Sequence, residues 1–558
     1  MSQETVNVPS QAPARPAKSF VHHARLISIL TLASRILGVL RESLAARYFG
    51  AGVVSTAFTV AFTIPNLFRR LFGEGALSAA FIPLYSQALK TGDTDAANRF
   101  AAASVNLLIL CLVVITLVGE LLLLALSFLP NLRADHQLAI GLTAVMLPYV
   151  LLVCGNAFLG GILQVHRHFG RTAAAPIILN LGLIGGTLLG AWLWDMNRLA
   201  GQINAVYLVS VFVILAGAVQ VAILIPQLRR IGFRFDFAAS IWTPQVRSML
   251  KLSIPVAIGA GVLQLSVLLD RGIAFFLAAG RNDSGQIVTH FQLLGQTIRY
   301  PLAEGAAARL AWAQYLYQFP LGVFAIALAT AIFPALSADA MEKDREKFRE
   351  GLRQGIRVTL WEGLPAGIGL IIVAQLAVQV LFERGNFTPQ DTAWVAQSLR
   401  FYSTALWAFS LQQIVNRAYY ALHDTWTPLI MSVVGLVIEL CVKIPLLWTK
   451  LGESGMAAGT AVTFSIQAIA MLLLLQRRTG SLEMGRLASY MLKLLFACGL
   501  MVLACWAVRK APFFPQEHSR STALLRLIIL MVTGGGSYLA GCLAMGIGGL
   551  RPRMPMRK

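Results

Sequence analysis

Two arginines lie inside the first apolar helix of this chain, in the run SRILGVLRE from Ser34 to Glu42. The flanking stretch from Leu26 to Ala46 is long and apolar enough to cross a bilayer. Charge at that depth is costly, so an intramembrane arginine marks a functional site by default. Arg35, Arg41 and Glu42 are therefore expected to turn from lipid toward a cavity that receives an anion. On a wheel of about 100° per residue, Arg35 and Glu42 share one face, and Ser34 and Arg41 share its neighbour. Gly38 falls between the two arginines in angle and leaves a gap between their guanidiniums. Guanidinium is always charged and grips phosphate through paired hydrogen bonds, so two of them suit a pyrophosphate. Glu42 is expected to hold an arginine in place when no substrate is bound. The competing reading is snorkelling, in which Arg41 reaches interfacial water.

A second basic element follows in IPNLFRRLFGEGALSAAF, Ile64 to Phe81. Pro65 and Asn66 interrupt helix geometry, and Arg69, Arg70 and Glu74 come next, among Gly73 and Gly75. Arg70 and Glu74 are four apart and can pair on a helix. A broken, charged helix at membrane depth is tolerated only where it lines protein or water, so this element is expected at the same cavity. Farther on, LLDRG (Leu268 to Gly272) and IELCVK (Ile438 to Lys443) supply Asp270, Glu439 and Lys443. Glu439 precedes Lys443 by four, the better order for an ion pair, and Asp270 is a candidate third member. The trio is either a charge relay coupled to conformational change or a static bridge. Asn156 and Asn180 read as interhelical hydrogen-bonders. His166, His168 and His423 lack the spacing of a metal set. No nucleotide-binding loop, catalytic triad or HExxH motif occurs.

The elements that position these residues are membrane helices. Of 558 residues, 57% are hydrophobic and 13% charged, and the mean hydropathy is +0.69. Apolar runs recur from end to end, and about fourteen spans can be drawn. Their approximate limits are 26–46, 54–90, 100–129, 136–164, 173–195, 203–227, 248–279, 311–338, 356–382, 391–421, 427–448, 454–476, 487–508 and 522–547. The net charge of +21 is spread over short loops, which argues for topology rather than nucleic-acid binding. With the N-terminus inside, cytoplasmic loops hold roughly two dozen Lys/Arg against about eleven outside. Both termini are then cytoplasmic. Residues 1–20 read as a disordered tail and not as a signal peptide. The six cysteines fall in apolar spans and read as packing residues.

The chain also repeats itself. ALSAAFIPLYS from Ala76 parallels ALATAIFPALS from Ala327, and FGAG at Phe49 to Gly52 parallels LAAG at Leu277 to Gly280. Duplicated halves are a common transporter plan, with the substrate site at the repeat interface. The second half holds an insertion near 281–310, expected as an amphipathic helix at the outer interface, with a plain surface loop as the alternative.

Together these motifs resemble the MurJ (MviN) lipid II flippases, within the multidrug/oligosaccharidyl-lipid/polysaccharide exporter superfamily. The resemblance runs from Leu26 to the end and is most specific over Ser34 to Leu84. It continues in HRHFGRTAAAPIILN, PQLRRIGF, QFPLGVFAIALATAIFPALS, RGNF and DTWTP. It implies an inner-membrane protein that moves undecaprenyl-pyrophosphate-linked peptidoglycan precursor outward by alternating access, driven by an ion gradient or membrane potential rather than ATP. Arg35, Arg41 and Arg69 match the family's cavity arginines, and Arg70 and Glu74 match its second-helix motif. The chain departs from the family at Thr56, where an Asp is usual, and at Tyr315, where a further cavity arginine is usual. Acidic positions around it are Gln314 and Gln318 here, and Arg309 is a candidate replacement for the missing cation. Some members resemble sodium-binding transporters at the positions of Asp270, Glu439 and Lys443; an ammonium there puts sodium coupling in doubt.

The expectation is an all-α polytopic membrane protein of about 14 transmembrane helices. Its parts would be an N-terminal lobe at 21–230, a C-terminal lobe at 231–480, and two further helices with a basic tail at 481–558. Substrate contacts would come from Ser34, Arg35, Arg41, Glu42, Arg69, Arg70, Glu74 and Tyr315, with Asp270, Glu439 and Lys443 as a charge network. The partner would be lipid II among membrane lipids, with cell-wall synthesis proteins as further candidates. No metal, cofactor, nucleic acid or enzymatic step is expected. The rivals are a flippase for another prenyl-pyrophosphate glycan and a cation-coupled drug exporter.

Overall fold

A computed structural model describes residues 17–547, apart from 74–75, 92, 131, 283–284, 343 and 517–518. Glu74, most of the expected N-terminal tail and the basic C-terminal tail lie outside the described residues. Residues 17–20 already belong to the first helix.

The first half holds α1 (Ala17–Phe49), α2 (Val53–Phe68), α3 (Ala76–Lys90), α4 (Thr94–Ser127), α5 (Ala134–Met146), α6 (Tyr149–Val165), α7 (Gly170–Leu193), α8 (Leu199–Ala222) and α9 (Ile225–Arg230). The second half holds α10 (Pro244–Phe276), α11 (Ala306–Pro320), α12 (Ile326–Met341), α13 (Arg345–Phe382), α14 (Pro389–Thr404), α15 (Leu406–Ala421), α16 (Trp426–Leu447) and α17 (Glu453–Thr479). Two further helices close the chain, α18 (Met484–Lys510) and α19 (Arg520–Ala544). Among the described residues, nine helices or joined helices are long and apolar enough to cross a membrane, or ten when the bent α5–α6 pair is one span. Four further helices or helix pairs, α1, α2–α3, α10 and α14–α15, lie outside that group. Counted with those ten, they match the about fourteen passes expected.

Two π-helical turns mark the halves. Arg69–Gly73 joins α2 to α3, and Leu321–Ala325 joins α11 to α12. A proline stands shortly before each, Pro65 and Pro320. Proline lacks the N–H that would bond the carbonyl four residues back, so each helix is weakened just before its π turn. The repeated sequences ALSAAFIPLYS and ALATAIFPALS both lie in the helix after such a turn, so the repeat is built into the fold.

One buried core gathers the first half and reaches α10, around Phe81, Tyr149, Phe158 and Val213. A second gathers the end of α1 with α11, α13 and α14, around Trp312, Phe382 and Tyr402. A third joins α13 and α15 to α17–α19.

The insertion is not a helix. It forms two antiparallel hairpins, Gly280–Arg281 with Ile287–Val288 and His290–Leu293 with Gln296–Arg299. His290, Phe291, Gln292 and Leu293 alternate polar and apolar, the period of a strand rather than a helix. Leu294 and Gly295 both have positive φ, 51° and 78°, as a two-residue hairpin turn requires. The hairpins occupy one end of the bundle, where Arg133 donates to the Ala278 carbonyl at 3.0 Å.

Candidate substrate site

Helix α1 separates its faces by residue type. Ile29, Leu32, Ile36 and Leu40 are exposed in a stripe at helical spacing. Ser34, Arg35, Arg41 and Glu42 are half-buried on the remaining surface, and Gly38 is buried. The apolar stripe meets lipid and the charges turn inward, as the cost of bare charge in hydrocarbon demands.

Those charges form a network around Asn180 of α7. Arg41 donates to Asn180 Oδ1 at 2.9 Å, and Asn180 Nδ2 donates to the Ser34 carbonyl at 3.0 Å. Glu42 pairs with Arg41 through one oxygen. Its other oxygen accepts from Trp312 Nε1 of α11 at 2.9 Å. Ser34, Arg41 and Glu42 are thus tied to one helix of each half. Arg35 differs. Among the described residues no hydrogen bond or ion pair holds its guanidinium, which lies against Gly322 and 6.0 Å from the Phe319 ring centroid. Gly322 belongs to the second π turn, so both halves meet at Arg35.

Tyr315 closes the gap that Gly38 leaves. A methyl group at Gly38 would lie 2.7 Å from the Tyr315 hydroxyl. Where a guanidinium would project a charge between Arg35 and Arg41, this chain places a neutral hydroxyl.

Arg69 sits in the first π turn and donates twice to Asn66 Oδ1, at 3.0 and 2.9 Å. It is within electrostatic reach of Tyr149 and Cys154 of α6. Arg70 lies in the same turn, and its expected partner Glu74 is outside the described residues. Thr56 is buried, and its hydroxyl finds no hydrogen-bond partner among the described residues.

Arg309 does not replace the missing cation. It is 1% exposed and engaged in full by protein groups. Glu453 accepts from its Nε at 2.9 Å and from its Nη2 at 2.8 Å, and the Glu304 carbonyl accepts from Nη1 at 2.8 Å. The Trp394 ring covers it, with the centroid 4.2 Å away. A guanidinium so enclosed anchors α11, α14 and α17 at the hairpin end.

Lys443 of α16 does join both expected acids. Its ammonium lies 2.5 Å from Asp270 Oδ1 and 2.7 Å from Glu439 Oε1. Ser266 donates to the remaining Glu439 oxygen at 3.0 Å. Beside them stands Arg271, which sequence reasoning did not single out. It donates to the Ala307 carbonyl at 2.9 Å and to Gln314 Oε1 at 2.7 Å, and Gln314 donates to Tyr402 Oη at 3.1 Å. Two acids and two bases leave this group formally neutral. The available signal was the LLDRG motif itself, an arginine beside an acid in an apolar span.

At the hairpin end, Asn386 of the RGNF segment fastens the halves together. Its backbone N–H donates to the Arg47 carbonyl at 2.9 Å. Its side chain donates to the Tyr48 and Met196 carbonyls, at 2.6 and 2.7 Å.

A family model described as lipid II flippase MurJ matches residues 45–528. A probable lipid II flippase MurJ of Rhizobium meliloti is 31% identical over 532 residues, 93% of this chain and 92% of its own length. One from Bdellovibrio bacteriovorus is 30% identical, covering 94% of this chain and 95% of that protein. Among solved structures, a lipid II flippase MurJ in an inward closed conformation superposes with a TM-score of 0.75 at 23% identity, covering 94% of this chain and 100% of that one. An inward-facing multidrug resistance MATE family transporter of the MOP superfamily gives 0.65 at 15% identity, covering 81% and 95%.

Proposed function

The chain belongs to the MurJ family of lipid II flippases, and we propose that Arg35 and Arg41 are the clamp that takes the pyrophosphate of its substrate. It is a multi-span membrane protein that moves lipid II across the inner membrane and serves peptidoglycan synthesis; it transports rather than transforms.

One observation carries the clamp. Arg35 has no acidic partner among the described residues, beside an Arg41 already balanced by Glu42. An unbalanced guanidinium inside a membrane bundle is stabilised by an arriving anion. Binding there neutralises the first half against the π turn of the second, so the halves can close on the phosphates. Ser34 and Tyr315 supply neutral hydroxyls at the rim. Arg69 and Arg70 belong to a neighbouring basic element that guides the phosphates, with Glu74 as the acidic position of that motif. Asp270, Glu439 and Lys443 form the charge network behind the second half. The positive-inside pattern supports cytoplasmic termini and, with them, hairpins at the outer face. The lobes are read as residues 21–230 and 231–480, with 481–558 appended. Cell-wall synthesis proteins are further candidate partners.

A cation-coupled drug exporter shares the fold, but its cavity calls for acids, and this one presents arginines. A flippase for another prenyl-pyrophosphate glycan would use the same clamp, and the family favours lipid II. The test is complementation in cells depleted of their own flippase. Arg35→Ala is expected to insert in the membrane normally and fail to sustain growth. Normal growth with that variant would sink the clamp.

A further inference from the structure

Glu362 lies in the middle of α13, within a span long and apolar enough to cross the membrane. Its Oε2 is buried and has no hydrogen-bond partner among the described residues. It lines a small cleft with Pro320, Leu321, Gly363, Leu406 and Ser410, with room for about one water-sized occupant. Gly363 lets the wall approach, since a Cβ there would lie 3.2 Å from Ser410 Oγ.

Among the described residues no ion pair balances it. On α13 itself the nearest cation in sequence is Arg357. Trp361, its neighbour, also has an unpartnered indole nitrogen. From α15 the facing polar group is Ser410, while Arg417 is engaged with the Phe333 ring at 5.3 Å. From α19, Tyr538 donates to the Trp361 carbonyl at 2.8 Å, with Tyr490 of α18 near Tyr538. From α1, the Arg35 guanidinium packs on Gly322 of the π turn. Among the described residues none of these groups hydrogen-bonds the buried Oε2.

An unpaired carboxylate inside a membrane bundle is costly when charged. A small metal cation needs several oxygen ligands, and this cleft offers one carboxylate and one hydroxyl. A proton needs a single acceptor. The π turn Leu321–Ala325 is touched by Arg35 at Gly322 and borders the Glu362 cleft at the adjacent Leu321. π turns inside helices are frequent at functional sites and can shift register.

We propose that the Glu362 carboxylate is a proton-binding site whose occupancy is coupled, through the Leu321–Ala325 turn, to anion binding at Arg35. The coupling rests on the clamp reading of Arg35; the proton site does not. Linkage makes the effect reciprocal, since a proton that changes anion affinity is itself bound differently when the anion is present.

The test uses the full-length protein purified in detergent, with farnesyl pyrophosphate as probe. Its affinity is measured across about two pH units around neutrality for wild type and Glu362→Gln. The wild-type affinity is expected to change by at least about threefold more than that of the variant, the scale of an ordinary coupling. Equal pH responses overturn the coupling. Glu362→Asp covers the case in which the glutamine variant fails to fold: its pH midpoint is expected to move, and an unmoved midpoint overturns the proposal. Infrared difference spectra give a separate readout. A protonated-carboxyl band that titrates in wild type and in Arg35→Ala, and is absent in Glu362→Gln, supports the proton site. Its persistence in Glu362→Gln defeats that site. Unchanged probe affinity in Arg35→Ala defeats the clamp, and the coupling with it, while the band still judges the proton site.

Discussion

The Tyr315 hydroxyl faces Gly38 so closely that a methyl group on that glycine would lie 2.7 Å from it. The contact crosses from α11 to α1 at the notch between Arg35 and Arg41. Gly38→Ala should therefore push α1 and α11 apart, with an overpacking cost of about 1–3 kcal/mol. Tyr315→Phe removes the atom that collides. The double variant is expected to recover much of the thermal stability and flippase activity that Gly38→Ala loses. Equal losses in single and double variants would show that the notch does not set the distance between the helices.

Glu42 holds Arg41 with one oxygen and Trp312 with the other. Glu42→Ala frees a second guanidinium beside Arg35, and like charges repel until an anion arrives. The empty variant is expected to melt lower than wild type. Saturating farnesyl pyrophosphate should raise its melting point by more than it raises that of wild type. A ligand shift equal to or smaller than the wild-type shift would argue that Glu42 serves packing alone.

Lys443 is fully buried between Asp270 and Glu439. Lys443→Met leaves two carboxylates facing each other, and removing one partner of a buried pair costs about 3–5 kcal/mol. Replacing the acids as well, in Asp270→Asn/Lys443→Met/Glu439→Gln, removes that imbalance and should restore much of the stability. Thermal unfolding in detergent measures both. Activity in the restored variant then separates a relay from a static bridge, because only a relay requires the charges.

Asp424 sits in the loop before α16. Burial works to raise its carboxyl, but hydrogen bonds from Thr427 and the nearby Arg478 guanidinium win and hold it below the ordinary aspartate range. Its folded value is depressed, so its stabilisation is present above the unfolded aspartate value, near about 4, and fades as pH falls through the lower folded value. Asp424→Asn should destabilise the protein at neutral pH and flatten the acid limb of the stability profile below about pH 4. An acid limb as steep as that of wild type would assign the acid sensitivity to other carboxylates.

What the sequence reveals here follows the cost of charge. Arg35, Arg41 and the Asp270–Glu439–Lys443 trio stand out because a greasy run makes each charge conspicuous. The π turns were half legible, since Pro65 and Pro320 mark where a helix must yield, although not how. Arg309 looked available because its acids are remote in the chain: Glu453 lies 144 residues away and Asp391 lies 82. The Arg271–Gln314–Tyr402 chain is hidden for the same reason, being made only when α10, α11 and α14 pack. The hairpin at His290–Arg299 was misread because four alternating residues are too few to separate the two periods, and the positive-φ pair Leu294–Gly295 was the better signal.

Asn386 makes its three hydrogen bonds to carbonyls of Arg47, Tyr48 and Met196, all in the first half. It comes from the segment between α13 and α14, in the second half. The close approach depends on Gly50 and Gly385, both at positive φ, 60° and 56°, each with its partner segment's backbone where a side chain would stand. Asn386 is thus a fastening across the halves at the hairpin end, and alternating access requires it to open. Asn386→Ala removes the two side-chain bonds and keeps the backbone one, worth about 1–3 kcal/mol together. The variant is expected to populate the state open at the hairpin end. Cysteines introduced at that end should then react faster with a membrane-impermeant thiol reagent than in the wild-type background. Gly385→Val should act in the same direction and more strongly, because the collision is with the Arg47 backbone, which cannot rotate away. Unchanged labelling in both variants would show that the halves are held shut elsewhere, with the Arg309–Glu453 anchor next in line.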